Sequence, residues 1–134
     1  MKAQVAVEYL IIVGMGLILI LFTGSYLMKI FVEYSDQNRI SLAKNAVNKI
    51  GEAVDMVYSQ GPPSRLKIEI TLPDGIEEVS LSNKTILLKI KTKVGLTDVY
   101  YNTIAEINGE IPSKKGNYYL SIVADQEAVN ISVV

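Results

Sequence analysis

Glu8 is the one carboxylate beside a long apolar run. In "KAQVAVEYLIIVGMGLILILFTGSYLMKI" no other charge occurs from Tyr9 to Met28. A charged side chain at membrane depth costs roughly 2.5–3.5 kcal/mol on insertion scales, so a partner should offset it. Elsewhere the residues suited to chemistry are sparse. The chain has no cysteine and no histidine, which removes thiolate nucleophiles, imidazole bases, disulfides and the common zinc sites. Carboxylates are then the only strong metal ligands. Glu77 and Glu78 are adjacent, but neighbours on a strand face opposite ways, so they do not read as a carboxylate pair. Lys89, Lys91 and Lys93 alternate along one strand face, which reads as the solvent side. No catalytic residue, metal site or cofactor is implied, and the chain is read as a non-enzyme.

Two further patterns concern the surface. Asn83-Lys84-Thr85, at an expected turn, and Asn130-Ile131-Ser132, within an expected strand, match the glycosylation acceptor pattern. Tyr100–Tyr101 and Tyr118–Tyr119 are adjacent pairs, so each pair should point one ring inward and one outward. With 134 residues, a formal net charge of −1 and no basic face in the residue order, neither nucleic acid nor an acidic polymer is an implied partner. No small-molecule substrate is implied either.

The elements that would position these residues follow from periodicity. The apolar run is about 20 residues, and a helix of that length crosses roughly 30 Å of hydrocarbon. It continues past Gly24 and Ser25 into polar, helix-like sequence, unlike a secretory signal with a cleavage site behind its apolar core. Ile40, Ala43, Val47, Ile50, Val54 and Val57 then form one helical stripe. No proline occurs between Met1 and Gln60, and "SQGPPS" stops the helix. The expectation is one helix from about residue 4 to about residue 59, roughly 80 Å if straight. Gly14, Gly16 and Gly24 either soften its first half or let neighbouring helices approach.

Beyond the stop the period becomes alternating. "RLKIEITLP", "DG" and "IEEVSLS" read as two strands joined in a hairpin. "TILLKIKTKV", "TDVYYNTIAEI", "NYYLSIVAD" and "AVNISVV" add about four more strands, separated by turns at Asn83, Gly95, "NGE" and "KKGN". The expected class is α+β: a long N-terminal helix packed on a small antiparallel β-sandwich or barrel-like domain of about six strands. The stripe from Ile40 to Val57 should cover the sheet, leaving the apolar half without a partner in its own chain.

Gln4, Val5, Ala6, Val7, Glu8, Tyr9 and Leu10 resemble the opening of archaeal type IV pilins with a class III signal peptide, although Ala6 stands where that family usually has serine. The resemblance implies a leader at residues 1–3, cleavage between Ala3 and Gln4, and Glu8 as the fifth residue of the mature chain. It divides the rest into an apolar membrane and filament-core helix at 4–28, an amphipathic continuation at 29–60 and a β domain at 61–134. It also implies partners: identical subunits in a helical filament, the membrane before assembly, a prepilin peptidase, and the pilus assembly ATPase and platform. The filament would stand at the cell surface and serve adhesion. Cleavage would create an α-ammonium on Gln4 that can meet Glu8 of a neighbouring subunit, so Gln4, Glu8 and Tyr9 would set the axial register. Two other readings stay open. One is a single-span membrane protein presenting a β ectodomain as a binding module. The other is an archaellum subunit, whose family typically lacks the acidic fifth residue.

Overall fold

With no proline to interrupt it, the N-terminal sequence forms one helix, α1, from Lys2 to Gln60 in the computed structural model, which describes residues 1–134. Gly61 leaves helical geometry at φ 76° and two prolines follow, so the helix cannot continue. Seven strands come next: β1 (Arg65–Leu72), β2 (Ile76–Ser82), β3 (Thr85–Lys91), β4 (Leu96–Asn102), β5 (Glu106–Gly109), β6 (Gly116–Ala124) and β7 (Ala128–Val133). The fold is α+β, with one sheet in the order β1-β6-β7-β5 and a second in the order β2-β3-β4. The chain divides into two compact units, Met1–Ser35 and Asp36–Val134.

In the second unit the helical stripe is buried as its spacing requires. Ala43, Val47, Ile50, Val54 and Val57 join Ile70, Leu72, Ile86, Leu88, Leu120 and Ile122 in one core. Each fully buried Val, Leu or Ile contributes about 1.5–3 kcal/mol relative to exposure. The only buried polar residue, Thr103, keeps its hydroxyl 2.8 Å from the Ala105 carbonyl and 3.1 Å from that of Lys84.

The helix also guards both sheets' outer edges. Ala124 N–H donates to the Ser64 carbonyl, which places the even residues of β1 in hydrogen bonds to β6 and turns the odd ones toward the free edge. There Lys49 Nζ donates to the Glu69 carbonyl at 2.7 Å. On the other side, Thr103 N–H donates to the Lys84 carbonyl, which by the same alternation leaves Ile104 facing outward. Asp55 Oδ1 accepts from Ile104 N–H at 2.8 Å, and Asp55 Oδ2 accepts from the Tyr101 hydroxyl at 3.1 Å. Burial first, then that bond to Asp55, holds the Tyr101 phenol above its ordinary pKa. A cation on an exposed carbonyl and a carboxylate on an exposed N–H blunt edges that would otherwise pair with other chains. The sheets meet where Ile107 N–H donates to the Asn83 carbonyl, so β5 approaches β2 without closing a barrel.

Several expectations need correction. "DG" at Asp74–Gly75 joins two strands of different sheets and makes no hairpin, because β1 pairs with β6 and β2 with β3. There are seven strands, since "TDVYYNTIAEI" breaks at Thr103, whose hydroxyl bonds turn the chain from one sheet to the other. Pairing is not wholly antiparallel: β5 runs parallel to β7. "NGE" is only partly a turn, as Asn108 and Gly109 belong to β5. Gly109, at φ 124°, lies so close to the Ile131 carbonyl that a Cβ would overlap it. Glu77 and Glu78 do not face opposite ways, because the ladder shifts between Ile76 and Glu78. Both are exposed, Glu78 pairing with Lys89 at 2.8 Å and Glu77 with Lys91 at 3.5 Å. The bond to Glu78, then its charge, raises the Lys89 pKa, but exposed pairs of this kind add little stability.

The second unit draws nothing in its core from residues 1–28. A chain lacking them is therefore expected to be soluble and monomeric, with a single cooperative urea transition. Sedimentation showing aggregates, or non-cooperative unfolding, would contradict that independence.

Candidate functional site

Beyond Met1, the first unit consists of the first part of α1. It contains a segment long and apolar enough to cross a membrane, none of which is buried within the chain. Leu10, Ile12, Leu19, Ile20, Leu21 and Phe22 are each about two-thirds exposed or more, and they face every side of the helix. That is the pattern of a helix whose solvent is lipid or other helices. The two aliphatic hydroxyls in the run are satisfied locally, Thr23 donating to the Leu19 carbonyl at 2.8 Å and Ser25 to the Leu21 carbonyl at 2.9 Å. Such back-bonding removes the penalty of a free hydroxyl in hydrocarbon. Cβ atoms added at Gly14, Gly16 and Gly24 would meet nothing within 4 Å, so no packing inside this chain requires glycine there.

Glu8 has no such relief. It is exposed and makes no ion pair, the two pairs in the chain being Lys89–Glu78 and Lys91–Glu77. It is not a first-turn acid either: α1 starts at Lys2 and its first turn carries no acidic residue. The helix-dipole benefit falls off within that turn, so a purely local reason for the carboxylate is weak. Gln4 and Glu8 are four residues apart and share a face, with Tyr9 beside them at 69% exposure.

The Ala3–Gln4 bond lies in the first turn of α1 and is exposed. That turn is held weakly, Val5 N–H reaching the Met1 carbonyl at 3.4 Å. A peptidase requires extended backbone, and a frayed terminal turn supplies it at small cost. If this is the processed bond, Ala3→Trp is expected to block maturation while membrane insertion stays intact. Normal processing of that variant, seen as an unchanged mobility shift on gels, would contradict the assignment.

The other candidates lie in the second unit. Asn83 is exposed at φ 50° in the turn between β2 and β3, a conformation asparagine tolerates, and its Thr85 hydroxyl donates to Asn102 Oδ1 at 3.0 Å. Asn130 is exposed as a side chain, but its backbone sits in β7 between β6 and β5. The folded chain therefore presents Asn83 on a turn and holds Asn130 in a ladder. Tyr101 and Tyr118 pack against the core while Tyr100 and Tyr119 are 64% and 50% exposed, the in-and-out division expected of each pair. Lys67 Nζ lies 5.1 Å from the centre of the Tyr119 ring.

Two features escaped the sequence reading. One is the Gly51–Tyr101–Asp55 contact, for which a lone glycine inside a buried helical stripe is the available signal. The other is Val94, a β-branched residue in a hairpin turn and 99% exposed. Comparison of the chain with protein-family models, with curated proteins and with solved structures finds no match.

Proposed function

We propose that this chain is the structural subunit of an archaeal type IV pilus-like filament, its apolar helices forming the filament core and its β units the surface used for adhesion. The observation that carries the reading is the apolar segment itself. It is exposed on every side, keeps its Thr23 and Ser25 hydroxyls bonded to itself, and retains one unpaired carboxylate at Glu8 within the Gln4–Leu10 pattern. An anchor alone needs no such carboxylate, and the insertion cost of a charge argues against keeping an idle one.

In this reading the precursor sits in the plasma membrane, a prepilin peptidase removes residues 1–3, and the assembly ATPase and platform draw the subunit into the filament. The new α-ammonium on Gln4 of one subunit meets Glu8 of another, with Tyr9 packing beside the pair. In a low-dielectric core that pairing is satisfied at one axial offset only, so it selects register more than it adds stability. Asn83, and less readily Asn130, are the sites where a glycan would join the outer surface.

N-terminal sequencing of protein sheared from intact cells tests the reading. A sheared chain starting at Gln4 is expected. Protein that starts at Met1, stays in the membrane fraction and cannot be sheared off would overturn it in favour of an anchored β ectodomain.

A further inference from the structure

The second unit has two ends, and its turns differ between them. At the end where α1 enters, Asp36 Oδ2 accepts from Lys93 N–H at 3.1 Å, which places the β3–β4 turn there. Arg39 lies beside Gly75, and Leu72 is paired with Gly116, which bring the β1–β2 and β5–β6 turns to the same end. The charged residues of these three turns are Lys93, Lys114 and Lys115 against the acids Asp74 and Glu110. Asp74 Oδ1 accepts from the Gly75 N–H at 2.9 Å. At the opposite end the turns carry Asp125 and Glu127 against Lys84.

Lys93 and Val94 occupy the β3–β4 turn, and Gly95 takes the positive φ of 143°, so neither of them needs one. The turn is built firmly. Thr92 N–H donates to the Gly95 carbonyl at 2.8 Å, the Thr92 hydroxyl to that same oxygen at 2.8 Å, and Asp36 holds Lys93 from outside. What this firm turn presents is Val94, 99% exposed, with Leu96 at 57%.

We propose that this end of the unit docks on an anionic lipid surface, Val94 entering the headgroup boundary while Lys93, Lys114 and Lys115 lie over the phosphates. Chain connectivity favours this partner. Asp36 follows Met28 by eight residues, which span at most about 29 Å however they run, so membrane insertion of the apolar segment makes the encounter intramolecular. Charge favours it as well. The three lysines of these turns outnumber the two acids, and anionic headgroups complement that excess. The proposal rests on membrane insertion of residues 4–28 and is independent of filament assembly. Before assembly, docking would hold the β unit at one orientation to the bilayer.

The absence of cysteine makes the test direct, since one introduced thiol labels one site. The full chain is reconstituted in phosphatidylglycerol vesicles with a fluorophore on Ser113→Cys in the docking face, on Asn83→Cys at the opposite end, or on Leu17→Cys in the apolar segment. Lipids bearing a nitroxide at headgroup depth or deep in the chains serve as quenchers. Headgroup quenching is expected at position 113 and not at 83. Each Lys→Gln change at 93, 114 or 115 should lower the docked-to-undocked ratio about fivefold, the effect of one basic residue near an anionic surface. Val94→Asp, read from the label at 113, should abolish the quenching. Deep quenching at position 17 with equal signals at 113 and 83 would overturn docking alone. Loss of deep quenching at position 17 would overturn membrane insertion and the docking with it. Disulfide cross-linking of Ser113→Cys between copies, in place of quenching, would assign the face to a second copy.

Discussion

Glu8→Gln is expected to leave membrane insertion, leader removal and the fold of the β unit unchanged, yet to reduce filament yield sharply. Removing the charge makes insertion easier, so poor assembly could not be charged to the membrane step. The β unit draws no core residue from this region, so its stability should not move. What the substitution removes is the acceptor for a neighbour's ammonium, and with it the penalty for stacking at the wrong axial offset. If Glu8 served only its own helix, the same change would cost at most about 1 kcal/mol of helix stability and filaments would form normally. The measurement compares sheared filament with the membrane pool of processed subunit. Wild-type filament levels from Glu8→Gln with normal processing would defeat the pairing mechanism.

Much of this arrangement is legible in the residue order because it is local. The stripe from Ile40 to Val57 follows the helical period and is buried almost throughout, and the helix stops where Gly61, Pro62 and Pro63 demand it. The strands show as alternation: in β3, Ile86, Leu88 and Ile90 are buried and the residues between them are not. Pairing is not local, and there the reading failed. Asp74–Gly75 has hairpin chemistry, but Leu66, Ile68 and Ile70 of β1 find their partners in Ile122, Leu120 and Tyr118, about fifty residues along the chain. Nothing in the alternation of "IEEVSLS" announces the bulge that lets Glu77 and Glu78 reach Lys91 and Lys89. Thr103 looks like a strand residue by propensity, and only its buried hydroxyl bonds show why the chain bends there. For the candidate site the division is similar. Glu8, Gln4 and Tyr9 stand out because an apolar background makes a lone polar group conspicuous. Val94 is hidden among ordinary strand residues until the turn around it is seen.

A large stability effect is expected from Gly51→Ala, and its sign runs against helix propensity. In an open helix interior, alanine in place of glycine gains about 1 kcal/mol. Here a Cβ at position 51 would overlap the Tyr101 ring, at its Cδ1, Cε1 and Cγ atoms. The ring is the base of a contact that also carries the hydroxyl bond to Asp55, and Asp55 in turn holds the Ile104 N–H at the β4 edge. Displacing it costs overpacking strain of about 1–3 kcal/mol and a hydrogen bond worth about 1 kcal/mol, which together exceed the propensity gain. Net destabilisation of about 1–3 kcal/mol is therefore expected in urea denaturation of the chain lacking residues 1–28. Removing the ring reverses the sign. In a Tyr101→Ala background the ring no longer opposes the added methyl, and Gly51→Ala should then stabilise by up to about 1 kcal/mol relative to Tyr101→Ala alone. If Gly51→Ala is equally destabilising with and without the Tyr101 ring, the close approach of helix and β4 is not what keeps position 51 free of a side chain.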